Sequence, residues 1–325
     1  MDIGVLKKRF EEIYGTKVEH LYFAPGRVNL IGEHIDYNGG RVFPCALSFG
    51  TYLSVARRGD RKSGFASMNL PYQGVLDESA FTGKPNEWVK YPLGVMKEFA
   101  NRGFNPWGFD ILYFGDIPGG AGLSSSASME VVTAYMLNDL LGANLDTVEL
   151  VKMSQHAEND FVGMNCGIMD QFAVGMGKKE HAIALDCATL DYDLIPLNIN
   201  GYKLVITNSN KNHDLVTSKY NERRSECEQA LAAINREVKT AHLCDLSPVT
   251  FKKLAYLMPN DTVYRRARHA VTENERVNEA IEVLQKGDLT GFGQLMNDSH
   301  RSLKQDYEVT GREMDTLAEE GQKLP

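Results

Sequence analysis

The sequence predicts a chain that mixes sheet and helix in two domains, and three observations predict it. Strand-like stretches dominate from Tyr22 to Phe114. Helix-like stretches follow at Ala127–Leu141 and Thr147–Phe161. A turn-rich Asn198-Ile-Asn-Gly201 then marks a boundary, so that 1–198 and 199–325 read as separate domains. A length of 325 residues is enough for both.

Each element has its own signal. The N-terminal Met1–Phe10 reads as an amphipathic helix and lacks the apolar core of a signal peptide. Thr51–Ala56 is strand-like. Gly108–Phe114 alternates, with Phe109, Ile111 and Tyr113 on one face. Ala127, Val131, Ala134, Tyr135 and Leu141 then fall at helical spacing. Ala182–Leu185 and Tyr202–Thr207 read as strands again. Leu215–Val238 is helical, with Leu231, Ile234 and Val238 in phase, and Glu275–Leu284 repeats the pattern with Val277, Ile281 and Leu284. Such stripes are core-facing first and carry no functional role here. The charged run Glu222-Arg-Arg-Ser-Glu226 reads as a solvated helix face. There is no internal repeat and no low-complexity linker.

Composition narrows the class. A net charge of −8 and a pI of about 5.6 argue against a nucleic-acid partner. No run reaches 18 apolar residues, so no membrane span is expected. The five cysteines (Cys45, Cys166, Cys187, Cys227 and Cys244) show no CxxC spacing, which suits reduced thiols in a cytoplasmic protein. The eight histidines show no HExxH spacing. Nothing points to an obligate protein partner.

Three segments carry chemistry. Residues 116–128, Asp-Ile-Pro-Gly-Gly-Ala-Gly-Leu-Ser-Ser-Ser-Ala-Ser, join a strand to a helix. Strand, glycine-rich turn and helix make an anion nest: successive N–H groups converge and the helix N-terminus adds partial positive charge. No Lys follows the glycines as in a Walker A loop, and Ser125 occupies the third glycine position of a dinucleotide fingerprint. A Ser-capped helix after a flexible turn is the competing reading.

Residues 24–40, Ala-Pro-Gly-Arg-Val-Asn-Leu-Ile-Gly-Glu-His-Ile-Asp-Tyr-Asn-Gly-Gly, crowd Arg27, Glu33, His34 and Asp36 between turn residues. A hydroxyl-rich ligand needs carboxylate acceptors and Arg or His donors. A solvated hairpin is the alternative, although Val28, Leu30 and Ile31 interleave as in a buried strand. In residues 155–177, Asp170 lies among Ile168, Met169 and Phe172, where a carboxylate is costly or useful. Glu158 lies twelve residues upstream. One carboxylate would hold Mg²⁺ while the other handles a proton, or Asp170 caps a helix beginning near Gln171.

Together these segments resemble the signatures of the GHMP kinase superfamily, and Gly26–Asn38 resembles the galactokinase signature in particular. The resemblance runs from about Phe23 to at least Cys227. It implies an α+β, two-domain GHMP kinase fold with a ribosomal-protein-S5-like N-terminal domain that binds ATP and galactose. A C-terminal ferredoxin-like domain follows, with the active site in the cleft between the two. It implies ATP-dependent phosphorylation of the C1 hydroxyl of α-D-galactose, the first committed step of galactose use by the Leloir pathway.

Residue by residue, Asp170 matches the base and Arg27 the arginine that stabilises the transferring phosphoryl group. Glu33, His34, Ile35, Asp36, Gly167 and Tyr220 match sugar contacts. Gly120, Ala121, Gly122, Leu123, Ser124, Ser125 and Ser126 match the phosphate loop, and Ser67 and Trp88 fall where the family contacts the nucleotide. Ser126 and Glu158 match the Mg²⁺ ligands. A kinase for N-acetylgalactosamine or L-arabinose, or a non-catalytic galactose sensor, shares much of this pattern. The family also carries a second Gly-rich loop near its C-terminus. No candidate for it follows Gly293 here, so the C-terminal domain is expected to be incomplete.

Overall fold

The computed structural model describes residues 2–83, 88–199, 201–210 and 216–323. The strands are β1 (His20–Asn29), β2 (Arg41–Val42), β3 (Pro44–Arg57), β4 (Ser63–Ser67), β5 (Gln73–Leu76), β6 (Phe109–Gly115), β7 (His181–Asp186) and β8 (Tyr192–Pro196). The helices are α1 (Ile3–Tyr14), α2 (Lys90–Asn101), α3 (Ser125–Leu141), α4 (Thr147–His156), α5 (Met169–Met176), α6 (Val216–Ile234), α7 (Pro248–Lys253), α8 (Asp261–Gln285), α9 (Leu289–Ser302) and α10 (Gly311–Gly321). Of the expected features, Met1, Asn200 of the boundary, Leu215 at the helix start and the last two residues, Leu324 and Pro325, lie outside the described residues.

The chain forms two compact units, and they do not follow a single cut at 198/199. The first comprises residues 1–27 and 46–176, and the second 28–45 and 177–325. The second unit thus takes its first strand from an early excursion of the chain.

In the first unit a five-stranded mixed sheet runs in the order β1-β3-β6-β4-β5. β3 pairs antiparallel with β6, and β4 pairs parallel with β6. The alternation predicted for β6 holds and explains the layering. Phe109, Ile111 and Tyr113 pack with Leu93, Met96 and Phe99 of α2 and Val131, Ala134 and Leu137 of α3. Leu112 faces the other way, onto Leu6 and Phe10 of α1. Both sheet faces are therefore covered. Helix ends follow local chemistry. Asp2 caps α1 through the N–H of Gly4, and Gly15 ends it in the left-handed region that glycine tolerates. Asp146 caps α4 through the N–H of Glu149.

In the second unit β2, β7 and β8 form an antiparallel sheet, and α8 is the central helix. Val277, Ile281 and Leu284 are buried along α8, as the periodicity implies. α8 also buries Glu273, which accepts from the Gly32 N–H at 3.0 Å, the Ser299 hydroxyl at 2.5 Å and Arg276 Nε at 2.8 Å. This carboxylate anchors the 28–45 excursion to the helix.

Two expectations fail here. Tyr202–Thr207 is not a strand: it pairs with nothing among the described residues, and Tyr202 and Val205 are 68% and 77% exposed. β-propensity without a partner strand does not make a ladder. The charged run on α6 is not wholly solvated. Arg223 is buried and donates through Nε to the Tyr307 carbonyl at 2.7 Å, while Glu222 stays exposed.

Gly50 on β3 shows how tightly β1 is held. A Cβ there would lie 2.0 Å from the carbonyl oxygen of Ala24 and 2.6 Å from Pro25 Cα, both backbone atoms. Gly50→Ala must push β1 away or deform β3, and is expected to destabilise the protein by about 1–3 kcal/mol. Urea unfolding of the variant checks this, and an unchanged midpoint would contradict the close approach.

Candidate functional site

In the first unit the candidate residues converge on Asp170. Asp170 lies in the first turn of α5 rather than at its N-cap, so the capping alternative does not hold. Its Oδ1 accepts from Arg27 Nε at 2.9 Å and Nη2 at 2.6 Å, and its Oδ2 accepts from the Ser124 hydroxyl at 2.7 Å. Arg27 Nη1 donates in turn to the Gly122 carbonyl at 2.8 Å, and the Arg27 N–H to the Leu123 carbonyl at 3.2 Å. Arginine from β1, the glycine-rich loop and an aspartate from α5 thus form one hydrogen-bonded assembly.

The loop has the backbone that an anion nest needs. Gly120 and Gly122 take φ of 68° and 69°, and Ser124 takes 59°. A left-handed serine carries steric strain, which is held here by its bond to Asp170. The Ser124 hydroxyl makes no cap bond to the first N–H groups of α3. The Ser-capped reading of this loop is therefore corrected. Gly26 fits under the loop because a Cβ there would meet the Leu123 oxygen at 2.9 Å.

A second group lies next to the first. Glu158 sits in a π-helical turn, Ala157–Val162, that continues α4. Ser126 hydrogen-bonds its carboxylate, and Gln171 Nε2 donates to its Oε2 at 2.6 Å. Burial and the charge of Asp170 push the Glu158 carboxyl up to about 7. Glu130 on α3 is fully buried and accepts from the same Gln171 amide at 3.0 Å. Burial, with the charge of Glu158 next, holds Glu130 well above the usual carboxylate range. The Cys166 thiol donates to Asn159 Oδ1 at 3.2 Å and, weakly, to Glu158 at 3.5 Å. Burial and the charge of Glu158 raise it too, which suits packing rather than reactivity.

Ser126 and Glu158 offer a hydroxyl and a carboxylate, hard oxygen donors of the kind Mg²⁺ takes. Three acidic groups crowd this corner, and a cation would relieve the repulsion that raises Glu158. The residues fit such an ion on these grounds. Among the described residues no group of three or more His, Cys, Asp or Glu side chains is arranged to hold a metal by itself.

Ser67 and Trp88 are also in this unit. The Ser67 hydroxyl accepts from the Asn69 and Leu70 N–H groups at 3.1 and 3.2 Å. The Trp88 indole is nearly buried, donates to the Pro71 carbonyl at 2.9 Å and meets Tyr72 and Tyr113 edge-on. Gly167 is buried in the segment leading to α5.

The remaining candidates belong to the second unit. Leu30 and Ile31 are buried on a bend past the end of β1, and Asp36 opens a 3₁₀ turn, Asp36–Asn38. Glu33 and Asp36 are half-buried, whereas the Ile35 side chain is fully buried, leaving only its backbone for any ligand. His34 has φ of 65° and is fixed by aromatic neighbours. Its Nδ1 pairs with the Tyr37 hydroxyl at 3.0 Å, which pairs with the Tyr307 hydroxyl at 2.8 Å. The Tyr220 and Tyr307 rings lie 5.7 and 4.8 Å from His34. Burial, then the nearby charges of His269 and Arg223, lower His34 to about 3, so it is neutral near pH 7.

Comparison with known proteins agrees with the motifs. Residues 8–57 match the galactokinase galactose-binding signature, and residues 90–178 match the GHMP kinase N-terminal domain. A galactokinase of Clostridium beijerinckii is 51% identical over 320 residues, covering 97% of this chain and 82% of that protein. The chain belongs to the galactokinase family. A galactokinase of Clostridium tetani is 52% identical over 322 residues, again with 82% of its length covered. The crystal structure of Lactococcus lactis galactokinase complexed with galactose matches at a TM-score of 0.97 with 42% identity, over 100% of this chain and 85% of that one. A mevalonate kinase of Methanococcus jannaschii, at 18% identity and a TM-score of 0.60, shares the fold. The expected α+β GHMP kinase fold is thus the observed one. No helix among the described residues is long and apolar enough to cross a membrane.

In this galactokinase-family chain Glu130, Gln171 and Tyr307 join the candidate residues without standing out in the motifs. Gln171 directly follows Asp170 and was within reach of the motif. Glu130 lies inside an otherwise apolar helix, which was the available signal.

The raised Glu158 carboxyl sets a pH dependence. Below about pH 4.5 both folded and unfolded chains hold this proton. Between that value and about 7 the unfolded chain releases it while the folded one retains it, so stability falls as pH rises through that window. Glu158→Gln is expected to flatten this fall and raise the ligand-free stability at pH 8 by on the order of 2 kcal/mol. Thermal melts from pH 5 to 8 check it, and parallel profiles for parent and variant would contradict the shift.

Proposed function

We propose that this chain transfers the γ-phosphoryl group of ATP to the C1 hydroxyl of α-D-galactose, giving galactose 1-phosphate and ADP. The observation that carries the reading is the Asp170 carboxylate, bracketed by Arg27 and Ser124 beside an uncapped helix N-terminus. Family membership supplies the substrates.

The chain's own groups account for the steps. The N–H groups of Gly120–Ser126 and the start of α3 receive the phosphate oxygens. Glu33, His34, Asp36, Gly167 and Tyr220 hold the sugar, with His34 acting as a neutral hydrogen-bonding partner and Ile35 through its backbone. Ser67 and Trp88 border the nucleotide. Asp170 accepts the C1 hydroxyl proton as the sugar oxygen bonds to the γ-phosphorus and the bond to the β-phosphate oxygen breaks. Arg27 places its guanidinium where charge develops on the transferring group, a role left to it by the lack of a P-loop lysine. Ser126 and Glu158 would hold Mg²⁺, which would supply positive charge to offset that of the phosphate oxygens.

Release of ADP with Mg-ATP, measured against galactose, N-acetylgalactosamine, L-arabinose, glucose and mevalonate, tests the proposal. Turnover is expected with galactose, and turnover confined to another sugar would replace it. Asp170→Asn is expected to lower kcat by about 10³-fold or more while ATP binding is retained. Near-parental turnover would remove Asp170 as the base. Glu33→Ala is expected to weaken galactose binding by calorimetry, and an unchanged affinity would take Glu33 out of the pocket.

A further inference from the structure

We infer that Gln171, pinned by Glu130, is a positioning residue that aims the Glu158 carboxylate at the metal. The inference rests on the reading of Glu158 as an Mg²⁺ ligand.

Gln171 is wholly buried, and its side-chain nitrogen bridges two carboxylates, Glu130 Oε2 at 3.0 Å and Glu158 Oε2 at 2.6 Å. Among the described residues its own carbonyl oxygen has no hydrogen-bond partner, and neither does Glu130 Oε1. Leaving buried acceptors unpaired costs about 1–3 kcal/mol each. A side chain present only to fill the core would do so without that cost, so the bridge itself is what the arrangement retains. Placement gives it a use. Asp170 and Gln171 are neighbours in the first turn of α5, about 100° apart around the helix. One turn therefore sends a carboxylate to Arg27 and an amide to Glu158, fixing the base and the metal ligand from the same rigid element. Glu130, 41 residues away in sequence but adjacent in space, holds the amide from α3. Partners behind a metal ligand commonly set its affinity by tenfold or more.

Mn²⁺ serves as the probe, with a non-hydrolysable ATP analogue and electron paramagnetic resonance of the free ion. Gln171→Leu removes the donor at similar volume and is expected to weaken Mn²⁺ binding about tenfold. Nucleotide-free galactose affinity is expected to stay within about twofold of the parent, a split that general loosening of the core would not produce. Glu130→Leu is expected to weaken Mn²⁺ more than Glu130→Gln, which keeps an acceptor for the amide; this pair decides the matter if Gln171→Leu does not fold. Parental Mn²⁺ affinity in Gln171→Leu, or equal affinities in the Glu130 pair, overturns the inference. Glu158→Gln is the control. Should it bind Mn²⁺ as the parent does, the metal-ligand reading itself falls. Should it lose Mn²⁺ while Gln171→Leu does not, only the positioning role falls.

Discussion

The ion pair between Arg27 and Asp170 is the constraint on which the first unit's site depends. Two guanidinium nitrogens converge on one carboxylate oxygen, and a third reaches the Gly122 carbonyl. Arg27 closes the part of β1 that belongs to this unit, so the pair ties strand, loop and α5 together. It is partly buried, with side-chain exposures of 12% and 28%, so neither charge is free of a cost if its partner is lost. The close passage of β1 over Gly50 fixes where Arg27 begins. The gap over Gly26 fixes how near the loop can come.

The second unit holds its candidate residues through a buried carboxylate, two histidines and a tyrosine. The 28–45 excursion has little regular structure, yet it carries Glu33, His34 and Asp36. α8 holds it from beneath: Glu273 takes the Gly32 N–H, and His269 Nε2 pairs with the Glu33 carbonyl at 3.0 Å. From the side, Tyr307 lies against both His34 and His269. Tyr307 belongs to a π-helical turn, Leu303–Tyr307, whose carbonyls are gripped by Arg223 and Arg266. Arg266 is itself almost wholly buried and pairs with Glu226 and Glu308. Charge is thus concentrated in the support, while the residue it supports, His34, stays neutral.

What could be read from the sequence follows from how local each cause is. β6 was legible because its period of two directly mirrors two covered faces, Ile111 on one and Leu112 on the other. The glycine loop, Arg27, Asp170 and Glu158 were legible because costly residue types stand in short, spaced motifs. Tyr202–Thr207 misled because a strand needs a neighbour, and propensity does not say where one is. Arg223 misled because a charged run looks the same whether one member turns inward to a distant carbonyl. Tyr307 was invisible, since its importance lies in contacts with Tyr37 and His34 some 270 residues earlier. Two domains were legible, but the discontinuous path between them was not, for the same reason: the chain leaves the first unit after Arg27 and returns at Ala46.

The serine-rich run shows how one local pattern serves several distant ends. Ser124 gives its hydroxyl to Asp170, Ser126 hydrogen-bonds Glu158, and Ser128 donates to the Ala24 carbonyl at 2.8 Å while accepting the Thr51 N–H at 3.1 Å. Alternate serines thus reach Asp170, Glu158 and the two strands β1 and β3. Ser125, between them, is exposed. A serine at the first of these positions would ordinarily cap the helix, and satisfying α3 in that way would occupy N–H groups at its start. Turning Ser124 into the left-handed region directs its hydroxyl to Asp170 instead of to the start of α3. The strain at one residue therefore does two things at once: it ties the Asp170 carboxylate to the loop and withholds the serine cap from α3.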